Sequence, residues 1–183
     1  MQTIISLAGI ALFIVAAYGD VKTFRISNLL VAAVASLGIT RLIAIGDPSA
    51  AAYTVSASVI VLAIGFVLFW QGLVGGGDAK LIAAAALLVG YNDLFSFLVF
   101  MGICGALISL AVLAIHRYAP LYAGPRLAAL LPKGRLAVPY GVAIAIAGGV
   151  TLLFQFPFVA ALLFPHPFAV TLLLQSSLPS FIG

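Results

Sequence analysis

Four carboxylates are all that this 183-residue chain contains, and two of them stand where they could act as a pair. Asp47 precedes Pro48, and Asp93 follows Tyr91-Asn92; in such short turns an aspartate ordinarily closes the turn or starts a helix. Asp20 and Asp78 stand at the ends of long apolar runs, each with cations close by in sequence. Two carboxyl groups converging on one carbonyl can hydrolyse a peptide bond. One takes a proton from water while the other, protonated, polarises the carbonyl. A close pair shares a proton and titrates as a unit. The bland alternative for either residue is an acid that snorkels or caps a helix, although ionisable groups set in apolar segments are often functional.

Other chemistries find no support. His116 and His166 have no partner at metal-ligand spacing, and Cys104 is the single cysteine, so neither a metal site nor a disulfide framework is expected. Ser27, Ser36, Ser56 and Ser58 lack a His or Lys base at a convincing spacing, which leaves serine proteolysis without a base. No cofactor is expected.

The elements that must carry these acids follow from composition. The chain is 65% hydrophobic and 7% charged, whereas a soluble globule has about a quarter of its residues charged. Collagen-like, disordered and disulfide-scaffold classes fail for want of a Gly period, of polar sequence and of cysteines. The fold class expected is all-α, a polytopic membrane helix bundle forming a single domain over 1–183. A helix crosses the hydrocarbon core in about 20 residues, and the apolar runs predict six spans near 2–19, 27–45, 51–71, 79–91, 94–115 and 137–155. The fourth is short, which calls for Lys80 to snorkel or the bilayer to thin. Residues 156–183 form a further hydrophobic segment interrupted by Pro157, Pro165, Pro167 and Pro179, with an irregular path expected. The glycines and alanine of span five, Gly102, Gly105 and Ala106, read as helix packing.

Loop charge gives an orientation. Lys22, Arg25, Lys80, Arg117, Arg126, Lys133 and Arg135 fall in the loops after spans one, three and five, and only Arg41 lies opposite. Seven cations against one places those loops in the cytoplasm and the N-terminus outside. The net charge of +4 is thus read as topology and contact with membrane lipid, not as nucleic-acid binding. Residues 1–19 are read as a retained helix and not a signal peptide, because no basic region precedes the apolar run. Asp20 and Asp78 then open on the same cytoplasmic face.

The sequence around both acids is informative. Gly75-Gly76-Gly77-Asp78-Ala79-Lys80-Leu81 matches G-x-G-D-x-K-L, and Asp20 through Asn28 is similar to D-x-x-x-x-R-I-P-N with Ser27 at the proline position. On these two motifs, and on Val138-Pro139-Tyr140-Gly141, the chain resembles the bacterial prepilin peptidases, members of the wider G-x-G-D intramembrane aspartyl proteases. The resemblance covers about 1–155. It implies an inner-membrane aspartyl endopeptidase with Asp20 and Asp78 catalytic, acting on a prepilin or pseudopilin. With one cysteine and no inserted C-x-x-C domain, the chain looks like the compact Flp (tight-adherence) type that trims a basic leader without methylating the product. Ser27 in place of proline is expected to loosen the start of span two.

Supporting roles are read from residue type. Gly75, Gly76 and Gly77 remove side chains beside Asp78, either to admit an extended substrate or to allow a tight entry into span four. Lys80 lies about 200° around a helix from Asp78, so snorkelling to a lipid phosphate suits it better than pairing. Arg25 and Asn28 are read as capping span two or orienting the Asp20 loop. Asp78 at a helix N-terminus and Asp20 at a C-terminus make Asp20 the expected protonated partner. The competing function is a small transporter or channel component using Asp20 and Asp78 as ion sites, and it lacks an evident inverted repeat.

Overall fold

The computed structural model describes residues 1–122 and 139–156. Among them are six helices and no strand: α1 (Gln2–Thr23), α2 (Asn28–Ile45), α3 (Pro48–Trp70), α4 (Gly76–Val89), α5 (Leu94–Tyr122) and α6 (Tyr140–Phe154). The all-helical bundle expected from composition is what forms. Four of the helices, counting Leu94–Ile115 of α5, are long and apolar enough to cross a membrane. The segments 123–138 and 157–183, which hold the basic loop residues Arg126, Lys133 and Arg135 and the proline-interrupted tail, lie outside the described residues.

The short loops fold successive helices back on one another. Their contacts define two ends: one carries Asp20, Asn28, Gly76–Lys80 and Tyr140–Gly141, the other Arg41, Thr54, Val89–Asp93 and Gln155. The first is called the acid end below, and the second the distal end.

Helix α4, only 14 residues long, spans about 21 Å, well short of a hydrocarbon core of about 30 Å. Its surroundings resolve the mismatch. It packs against α2, α3 and α6, and nine of its residues are buried, whereas α3, at 23 residues, buries two. The other short helix, α6, likewise buries nine of its fifteen. Protein rather than lipid therefore surrounds the two short helices, so neither depends on a thinned bilayer.

Small side chains bring the helices close, since apolar burial alone drives little association within lipid. The run Ala83–Ala86 forms much of α4's buried surface. A Cβ on Gly38 of α2 would stand 3.0 Å from the Leu88 backbone nitrogen, and one on Gly148 of α6 would stand 2.5 Å from the Phe13 ring of α1. In α5, Gly105 takes the packing role expected of it, against the Tyr140 ring; Gly102 has open space over it and Ala106 faces outward.

Boundaries differ from expectation in two places. Helix α1 continues past Asp20 to Thr23 and ends on Phe24, whose φ of 50° puts it in the left-handed region and whose N–H donates to the Asp20 carbonyl. Helix α5 runs seven residues beyond 115, so 116–122 are helical where a loop was expected. Nothing in 111–119 breaks a helix.

Candidate active site

Asp20 lies in the last turn of α1 and is only 4% exposed. What buries it is α6. A Cβ on Gly141 would stand 2.8 Å from Asp20 Oδ2 and 3.0 Å from its Cβ. The carboxylate thus rests on the first turn of α6, beside the Gly141 and Val142 amides. Its Oδ2 is buried without a hydrogen-bond partner, an arrangement that costs free energy unless a proton, water or substrate group satisfies it.

Asp78 lies in the first turn of α4, whose N-cap is Gly75. Its carboxylate folds back over that cap: a Cβ on Gly75 would stand 2.7 Å from Asp78 Oδ2. Asp78 is half-buried, and Gly77 beside it packs against Ile26, in the loop that follows Asp20. The two acids that sequence spacing singled out are therefore neighbours at one end of the bundle. Among the described residues no other carboxylate lies at that end, since Asp47 and Asp93 belong to the distal end.

Each glycine of the Gly75–Gly77 run meets a different part of the chain. Gly75 faces Asp78 itself, a Cβ on Gly76 would stand 3.1 Å from the Phe69 ring, and one on Gly77 would stand 3.3 Å from Ile26. Of the two readings open from sequence, the tight helix entry is thus explained by packing. Gly77 also joins the two motifs, because Ile26 belongs to the loop that follows Asp20.

That loop departs from expectation in a second way. Ser27 does not loosen α2 but caps it, its hydroxyl accepting from the Leu30 N–H at 3.2 Å. Its φ of −72° is one that proline also adopts, so the backbone form suits either residue and the hydroxyl satisfies an otherwise orphaned amide. Of the two roles expected for Arg25 and Asn28, capping α2 or orienting the Asp20 loop, the cap is taken by Ser27. Arg25 is exposed, and Asn28 accepts a hydrogen bond from Lys80 Nζ at 3.3 Å, tying the start of α2 to the start of α4. Lys80 thus has a protein partner where a lipid phosphate was expected. It also borders an apolar groove of about 510 Å³ between α3 and α4, with Gly76 and Ala79, on the side of α4 away from Asp78.

The C-terminus of α1, taken alone, favours a protonated Asp20. The N-terminus of α6 faces the same carboxylate and acts in the opposite sense, so helix ends no longer single out Asp20.

Three further residues escaped sequence reasoning: Gly141, Arg41 and Gln155. Gly141 stands in the Val-Pro-Tyr-Gly string, but its contact with Asp20 is visible only in the tertiary structure. Arg41 had been counted as a loop cation. It is a buried member of a distal network with Gln155 and Asp93. Among the described residues no group of three His, Cys or acidic side chains could hold a metal ion.

A family model described as the type IV leader peptidase family matches residues 7–110, which include both acids, the glycine run and Lys80. No curated protein matches the chain. No solved structure matches it either.

Proposed function

The chain belongs to the type IV leader peptidase family, a peptidase of multi-pass membrane architecture acting on prepilin-type substrates, and from that membership we propose an aspartyl mechanism in which Asp20 and Asp78 share the work. One carboxylate takes a proton from the attacking water. The other, protonated, donates to the scissile carbonyl oxygen to give a gem-diol; as the C–N bond breaks, the first gives the water's proton to the leaving amine and the second recovers a proton from the gem-diol as the carbonyl re-forms. The observation that supports this reading is the placement of the two acids at one end of the bundle: Asp20 seated on α6, Asp78 at the head of α4, and Gly77 packed on the loop that follows Asp20.

In our reading the whole chain serves one peptidase domain of the bacterial inner membrane. The acid end faces the cytoplasm, because Lys22, Arg25 and Lys80 lie exposed there, whereas Arg41 at the other end is buried and bonded. Its substrate is a Flp-type prepilin or pseudopilin cut after a basic leader, and the product leaves without N-methylation. Gly75, Gly76 and Gly77 keep side chains away from the backbone beside Asp78, where an extended substrate would approach, Asn28 and Lys80 tie the starts of α2 and α4 together, and Arg25 stays exposed at the same end as a candidate substrate contact.

Co-expression with a Flp-type prepilin tests the proposal. A leader-sized shift in the pilin should appear with the wild type and disappear with Asp20→Ala and with Asp78→Ala. Normal processing by either variant at normal protein level would rule the mechanism out.

A further inference from the structure

We propose that Arg41 is a positioning residue for the two acids: from the distal end of the bundle it locks the axial register between α4, which carries Asp78, and α6, whose first turn seats Asp20. The inference rests on the aspartyl reading above.

Helices α4 and α6 run in the same direction, with their N-termini at the acid end and their C-termini at the distal end. Arg41, on α2, is 9% exposed. Its Nη1 donates to the Leu88 carbonyl at 2.7 Å and to the Val89 carbonyl, two of the acceptors left without partners at the end of α4. Its Nη2 donates to Gln155 Oε1 at 3.3 Å, at the C-cap of α6. Gln155 closes the ring, its Nε2 donating to the Val89 carbonyl at 3.0 Å and to Asp93 Oδ2 at 2.8 Å. One planar guanidinium thus holds the ends of both helices, a geometry that a flexible ammonium cannot reproduce. Gly90 makes room for it, since a Cβ there would stand 2.7 Å from Nη1.

The lock adds a fixed point to helix faces built largely of small residues. The buried faces are rich in small residues, Ala83–Ala86 on α4 and Ala143, Ala145, Ala147 and Gly148 on α6. Such faces approach closely but present low ridges against axial sliding. Each helix then transmits position as a rod, over about 16 Å from Val89 to Asp78 and about 21 Å from Gln155 to Gly141. A shift of one residue, about 1.5 Å, would break the ring and change the separation of the carboxylates.

The test uses purified full-length protein with a prepilin substrate. Arg41→Ala should lower kcat by about 10- to 100-fold while KM changes by less than about twofold. The pH–rate profile should move, and the carboxyl infrared bands assigned to Asp20 and Asp78 through their Asn variants should shift. Added guanidinium ion should restore activity, entering the cavity of about 260 Å³ that Arg41 borders. A folded variant with wild-type kcat, pH profile and carboxyl bands overturns the proposal. So does a loss of activity that leaves the profile and the bands unmoved, because that is lost folded protein and not lost register. Should Arg41→Ala fail to accumulate, Gln155→Leu removes the link to α6 and spares the Arg41 bonds to α4, with the same outcomes read the same way. The infrared arm needs no turnover. A wild type that cleaves no prepilin would therefore defeat the proposed function without obscuring whether Arg41 sets the geometry of the acids.

Discussion

Gly141 and Asp20 are in contact across the α1–α6 interface, so close that any side chain at 141 would occupy the space of the carboxylate. The contact buries one of the two acids and brings it to the end of the bundle where α4 presents the other. Gly141→Ala should displace Asp20, cutting leader cleavage by about tenfold or more and lowering stability by about 1–3 kcal/mol. Cleavage assays alongside thermal unfolding check both. Wild-type activity in Gly141→Ala would show that the position of Asp20 tolerates displacement.

Asp20→Asn and Asp78→Asn should each reduce prepilin cleavage by about 10⁴-fold or more, and the double variant should be no worse than either single one, as expected of residues acting as a unit. Multiplicative losses in the double variant would argue for independent roles. Quantitative single-turnover assays on purified protein distinguish the two outcomes.

Ser27→Ala should destabilise the protein by about 1 kcal/mol, the usual cost of losing an N-cap hydroxyl. Ser27→Pro fits the observed φ but loses the same acceptor, so it should cost no more than that. Unfolding midpoints in denaturant report both, and a neutral Ser27→Ala would mean that water replaces the cap.

Gly90→Ala should cost about 1–3 kcal/mol. Its φ of 93° is unfavourable for any L side chain, and the added Cβ would press on Arg41 Nη1. Hydrogen exchange at the C-terminal amides of α4 should quicken in this variant; unchanged protection would refute the contact.

Asp47 caps α3 by accepting from the Ser49 hydroxyl at 2.7 Å and the Ser49 N–H at 2.9 Å, and these bonds hold its carboxyl below the usual carboxylate range. A group depressed in this way stabilises the folded form above its unfolded pKa, and the contribution is lost as pH falls through the folded value. The first turn of α3 should therefore fray below about pH 4. Exchange of the Ser49 and Ala50 amides between pH 7 and pH 3 measures it, and Asp47→Asn should remove the pH dependence.

The sequence by itself determined the class, the helices and the identity of the two acids. Twelve charged residues in 183 leave a chain no soluble fold to adopt, and apolar runs broken by Gly, Pro and charge set the described helices to within about four residues, the end of α5 excepted. Asp20 and Asp78 stood out because charge is so scarce. The family motifs around them were legible too, as strings local to a helix end.

Only the tertiary structure decided what those residues touch. Helix α4 is short because it is central, and no local pattern says which helix of a bundle its neighbours will cover. The glycines of 75–77 look alike in sequence yet meet Asp78, Phe69 and Ile26 in turn. Arg41 reads as a loop cation until the carbonyls ending α4 and the amide of Gln155, 114 residues away, close around it. The reason is physical: periodicity and capping record what a residue does along its own helix, whereas packing between helices brings together positions whose separation in sequence carries no signal.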